Sequence, residues 1–230
     1  MVQIAGCGER WTRVELARAE DWGTAVDALS QAVELFARSG ASLRWLDESC
    51  ALSVESSGER APAVRVTGLT LVILDNDERL MKTMPLGGAL KADVLDWLSS
   101  QGIPPGERSS EAAALPAPEQ GVLVNLARTF SNAYQVLGQI ARMTHGAEPV
   151  QTEPATLETC TRILLGTRSG ESPRSIEVGF SPSEGQGAFF VRTQCEDPSA
   201  PEAVLSLAEV AKESDGDVQA RVIETFLGKA

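Results

Sequence analysis

The chain of 230 residues has one histidine, one tyrosine, four lysines and four cysteines, and aromatic residues make up 5% of it. A single histidine excludes much familiar chemistry. Zinc sites built on several histidines, iron sites with two histidines and a carboxylate, and helical His-x-x-x-His pairs all need a second imidazole. A Ser-His-Asp or Cys-His arrangement would have to use His145 itself. His145 sits just before Gly146, at the expected end of a long helix, where an imidazole can cap carbonyls and complement the dipole. Cys7, Cys50, Cys160 and Cys195 contain no Cys-x-x-Cys pair, so a four-cysteine zinc site would have to draw on four separate elements. Cys50, Cys160 and Cys195 are read as small buried hydrophobes in strands. Cys7, between two glycines, is the one candidate for an exposed thiol. No metal and no cofactor are expected.

Other absences narrow the partners. Basic residues number 20 against 32 acidic ones, for a net charge of −12, and no basic run occurs. Phosphate backbones are bound mainly through Lys and Arg, so nucleic acid is not expected as a partner. An anionic membrane surface is disfavoured for the same reason. No apolar run approaches the roughly 18 residues of a transmembrane helix, and Met1–Trp11 lacks the pattern of a signal peptide. The chain is therefore read as cytoplasmic, and its arginine-over-lysine bias suits a bacterial genome. Acidity suits solubility and a basic partner. A homo-oligomer is compatible with the composition.

Glycine and acidic motifs are weak. Gly185-Gln186-Gly187 joins two strands without a following Lys-Ser/Thr, so it reads as a hairpin loop. Gly6-Cys7-Gly8 opens no strand–helix crossover of the dinucleotide type. Asp75-Asn76-Asp77-Glu78 lacks the glycine and terminal glutamate of an EF-hand loop and reads as an Asx turn.

What is present is periodicity. Residues 21–38 show helical spacing through Val26, Leu29, Val33 and Phe36. Cys50, Leu52 and Val54 alternate as in a half-buried strand. Val64 to Leu74 reads as one long strand, turned by Asp75-Asn76-Asp77 into another over Arg79–Met84. Leu90, Val94, Leu95 and Leu98 mark a second helix. Residues 102–121 carry four prolines and three glycines and read as a surface linker. The order then recurs: a helix through Leu123, Leu126, Phe130, Ala133, Leu137 and Ile140, strands at Thr156–Leu165, Ser175–Phe180 and Ala188–Cys195, and a closing helix from Val204 that resumes at Val218. The sequence thus predicts an α+β fold of two pseudo-repeated helix–strands–helix units, residues 1–101 and 122–230, each with an antiparallel sheet covered by helices.

Alternation in the second unit places Glu158, Arg162, Glu177, Phe190, Arg192 and Gln194 on one sheet face. Arginine, carboxylate and aromatic side chains together suit a polar ligand or a peptide. The same set also describes a solvated face held by cross-strand ion pairs. No catalytic residue is assigned. The leading expectation is a non-catalytic protein-binding accessory or assembly factor. The alternative is a small-molecule enzyme or ligand-binding protein that uses the arginines and carboxylates of that face. A deep pocket enclosing Arg162 or Arg192 would favour the alternative, and an exposed apolar patch the partner.

Gln135-Val136-Leu137, Pro149-Val150, Leu157-Glu158, Thr161-Arg162, Gly179-Phe180-Ser181-Pro182, Phe189-Phe190 and Pro198 follow one another in an order that resembles a family of uncharacterised bacterial proteins, a domain of unknown function. The resemblance spans about residues 123–200. Family members carry aromatic residues and histidine where this chain has Gln151, Thr152 and Glu153, and tryptophan where it has Ser181. The resemblance implies no activity.

Overall fold

A computed structural model describes residues 14–38, 40–54, 60–104, 106, 113–165, 174–183, 187–194 and 203–210. The chain is α+β. Its first half runs α1 (Ala19–Glu34), β1 (Leu43–Leu46), β2 (Ala51–Val54), β3 (Arg60–Arg65), β4 (Thr70–Asp75), β5 (Leu80–Pro85) and α2 (Lys91–Ser100). Its second half runs α3 (Gln120–Met143), β6 (Gln151–Thr152), β7 (Thr159–Leu165), β8 (Arg174–Ser181), β9 (Ala188–Gln194), β10 (Ala203–Ser206) and a single turn, α4 (Leu207–Val210).

The expected pair of pseudo-repeated helix–strands–helix units, each with its own antiparallel sheet, is not what forms. All ten strands belong to one antiparallel sheet of order β10-β9-β8-β7-β6-β1-β2-β3-β4-β5. The seam is the pairing of β1 with β6 at Leu43↔Thr152. The architecture is therefore mostly sheet with few helices. The physical reason lies in α3. Its N-terminal half places Leu123, Leu126 and Phe130 in a core shared with α1, α2 and β1–β4. Its C-terminal half places Val136, Leu137 and Ile140 in a second cluster with Ile163, Val178, Phe180 and Phe189. At about 1.5 Å per residue, 24 residues give a helix long enough to cover the seam. One helix burying one continuous stripe over both halves favours one sheet over two.

Three further expectations change. Val64 to Leu74 is not one strand: a 3-10 turn at Val66–Gly68 and a left-handed Leu69 (φ 42°) fold it into the β3–β4 hairpin. Val204 and Leu205 lie in β10, and the helix begins only at Leu207. α3 stops at Met143 with an extended Thr144, so exposed His145 lies beyond the last helical turn instead of within it. The Asx turn forms: Asp75 Oδ1 accepts from the N–H groups of Asp77 and Arg79, both at 2.9 Å.

The Pro/Gly-rich stretch is tied down at separate points. Leu115 is buried and exchanges backbone hydrogen bonds with Gly88 and Ala89, while the Gly106 N–H donates to Leu35 O at the end of α1. The expected closing helix over residues 211–230, Cys7, Cys195 and the Gly185-Gln186 loop lie outside the described residues.

Candidate functional site

Strand register decides which polar side chains meet. Arg162 of β7 stands opposite Glu177 of β8, which stands opposite Arg192 of β9. Opposed residues share a face, so this row lies on the side of the sheet away from Ile163, Val178 and Phe180. The Arg162 side chain donates to Glu177 Oε1 from Nη2 at 2.9 Å and from Nε at 3.3 Å. Arg192 Nη1 lies 3.7 Å from Glu177 Oε2, and its Nη2 donates to Glu158 Oε2 at 3.3 Å. The Arg192 guanidinium also sits 4.8 Å from the centroid of the Phe190 ring. The structure thus brings together five of the six expected residues. Gln194 stands opposite Ser175 in the backbone register, and its side chain is outside the described set.

Burial grades the row. The Glu177 side chain is 8% exposed, whereas those of Arg162 and Arg192 are 42% and 33% exposed. A nearly buried carboxylate needs a counter-charge, and here two arginines supply it. Hydrogen bonding to Glu177 raises the Arg162 guanidinium further above neutral pH. Phe190 is buried because the facing residue is Gly179: a Cβ there would lie 2.5 Å from Phe190 Cζ. The aromatic ring occupies the space that a side chain at residue 179 would take. Leu164, two residues along β7 from Arg162 and on the same face, is 51% exposed.

Cys160 also lies on this face, in β7. Burial pushes its thiol up to about 11, with the Glu177 charge adding to the shift and Arg162 opposing it. A thiol so protonated is a poor nucleophile at neutral pH. Cys50 is buried as expected, but in the β1–β2 turn with a left-handed backbone (φ 48°), not in a strand. Among the described residues no group of three His, Cys, Asp or Glu side chains is placed to hold a metal ion.

Two features escaped sequence reading. The first is a chain of hydroxyls under the seam: Tyr134 Oη lies 2.8 Å from Thr152 Oγ1, which lies 2.8 Å from Thr159 Oγ1. Burial raises the Tyr134 phenol above its ordinary range, against the opposing hydrogen bond with Thr152. The second is a cleft of about 310 Å³ between α1, the β6–β7 turn and the end of β8. It includes neither Arg162 nor Arg192 among its lining residues. Helical spacing marks the inner face of α1 but gives no sign of a chain segment arriving from residue 182 to wall off that space.

Comparison with protein-family models, curated proteins and solved structures finds no match to this chain. No helix among the described residues is long and apolar enough to cross a membrane.

Proposed function

We propose that this chain is a non-catalytic, cytoplasmic accessory or assembly factor of bacterial type that acts by binding a protein or peptide partner. The observation that carries the reading is the state of the polar sheet face. Both arginines are engaged by carboxylates of the same chain, and Leu164 stands exposed beside them. A row of charges satisfied internally is a stiff, preorganised platform, and a half-exposed leucine at its margin is the kind of group a macromolecular partner covers. Partly exposed arginine over an aromatic ring suits the same role, since Arg and aromatic residues are enriched where partners bind. Of Glu158, Arg162, Glu177, Phe190, Arg192 and Gln194, the proposed contact set is Glu158, Arg162, Arg192 and Gln194, with Leu164 added, while buried Glu177 and Phe190 hold the two arginines in place. The resemblance of residues 123–200 to a family of unknown function neither adds to this reading nor subtracts from it.

The test is co-purification from the native host, followed by reconstitution from purified components. We expect a partner at fixed stoichiometry whose affinity falls at least about tenfold on Leu164→Asp, the loss typical of a covered anchor residue. Recovery unaffected by Leu164→Asp and Arg192→Ala, or stoichiometric turnover of a metabolite, would overturn the proposal.

A further inference from the structure

The cleft beside α1 is built from parts that the fold holds in place. Trp22, Val26 and Pro182 supply apolar lining, Ser30, Thr156 and Ser183 its hydroxyls, and Asp27 the one charge among its described lining residues. Trp22 is 2% exposed, and its indole N–H donates to Pro182 O at 2.9 Å, across 160 residues of chain. The β6–β7 turn is anchored by Leu157, fully buried in the main core on a left-handed backbone (φ 57°). The walls therefore need no rearrangement before something enters.

Gly23 also lines this cleft. It stands inside α1, where glycine costs about 1 kcal/mol relative to alanine. Nothing in the fold compels it: a Cβ at residue 23 would find no atom within 4 Å. The missing side chain leaves helix backbone accessible and the space open. Glycine where a backbone must be closely approached is the usual reason for accepting that loss.

We infer that the cleft docks one apolar side chain of an extended partner segment that carries a lysine or arginine next to it. The inference rests on the reading that this chain binds a polypeptide, and it names the chemistry of that polypeptide. Charge chooses the occupant. The described lining has no basic residue and one carboxylate, Asp27, which is exposed and oriented by Gln31 Nε2 at 2.7 Å. The chain's net charge of −12 draws a cationic segment toward it.

The experiment pans a phage-displayed random dodecapeptide library on the full chain, with counter-selection on Gly23→Leu. Leucine at this position removes a helix-interior glycine and meets open space, so the variant should melt at or above the wild-type temperature while it plugs the cleft. Ser30→Leu is the second plug, used if Gly23→Leu melts lower. We expect enriched peptides that pair an apolar residue with an adjacent Lys or Arg. Either plug should weaken them at least about tenfold, and Asp27→Asn several-fold in a salt-dependent manner. Enrichment of peptides without basic residues, or no enrichment over the plugged variant, would overturn the inference. Basic–apolar peptides that bind both plugged forms as well as the wild type would also overturn it, while leaving the partner-binding reading standing. Failure of that broader reading shows separately, as a native complex indifferent to Leu164→Asp.

Discussion

Tyr134 Oη lies 2.8 Å from Thr152 Oγ1, and this contact fastens α3 to the two-residue strand that closes the seam of the sheet. The same hydroxyl donates to Leu43 O at 3.3 Å, on the other strand of the seam. Tyr134→Phe should therefore destabilise the chain by about 1 kcal/mol, the net worth of a buried neutral hydrogen bond. Thr152→Val should cost more, about 1–3 kcal/mol, because it leaves the buried Thr159 hydroxyl without its partner and takes one of two partners from Tyr134. Urea unfolding of the two variants checks the order; equal losses would show the chain of hydroxyls to be unimportant.

Glu177 is the centre of the charged row. Glu177→Gln leaves two arginines without their shared carboxylate. Because both arginine side chains remain at least one-third exposed, the loss should be discounted to about 1–2 kcal/mol rather than the larger figure for a buried pair. A double-mutant cycle with Arg162→Met should return a favourable coupling that shrinks at high salt. A coupling of zero would reduce the row to surface decoration.

Gly179→Ala should destabilise by about 1–3 kcal/mol, since the new methyl meets the Phe190 ring at 2.5 Å and Thr159 O at 2.9 Å. Phe190→Leu in the same chain should recover only part of that loss, because it relieves the ring contact and leaves the carbonyl contact. Thermal unfolding of the single and double variants separates the two terms.

β5 is a terminal strand, and five of its six residues are exposed. The Leu86 N–H donates inward to Leu69 O, so by alternation residues 82 and 84 face β4 while 83 and 85 face outward. Pro85 has no donor to offer there, and Lys82 places a charge opposite core residue Ile73 at the rim. Both devices discourage a second chain from adding on. Lys82→Val with Pro85→Thr should restore about 1–2 kcal/mol of pairing, roughly a tenfold gain in self-association. Sedimentation velocity at increasing concentration reads it out.

Alkaline pH should weaken the fold. Burial raises Cys160 from 9.0 to about 11 and Tyr134 upward as well, so the folded chain keeps protons that the unfolded chain releases. This stabilisation is complete below the unfolded values and falls as pH climbs from about 9 toward 11. Cys160→Ala should remove part of the slope, leaving the share due to Tyr134. Denaturant midpoints measured across that range for both proteins give the comparison.

The polar row was legible in the sequence because period-two alternation assigns faces without knowledge of neighbours: Glu158, Arg162, Glu177, Phe190 and Arg192 could be gathered from parity alone. The helices were equally readable, since Val26, Leu29 and Val33, or Leu126, Phe130 and Leu137, repeat at the helical period. The architecture was not, because it depends on the two strands that carry least signal. β1 has four residues, with Leu43, Trp45 and Leu46 buried and only Arg44 exposed, and β6 has two. Neither is long enough to establish a period, yet their pairing turns two sheets into one. The β3–β4 turn was hidden for a different reason: Val66 and Leu69 are good strand residues, and the left-handed conformation at Leu69 is held by burial, not by a turn-forming side chain.

The position of α3 also bears on how the chain is made. Strands β1–β5 leave the ribosome before the helix that supplies Leu123, Leu126 and Phe130 to their core. Until that helix is synthesised, α1 and α2 cover the first five strands only in part, and completion of this core waits for residues 120–130 to emerge.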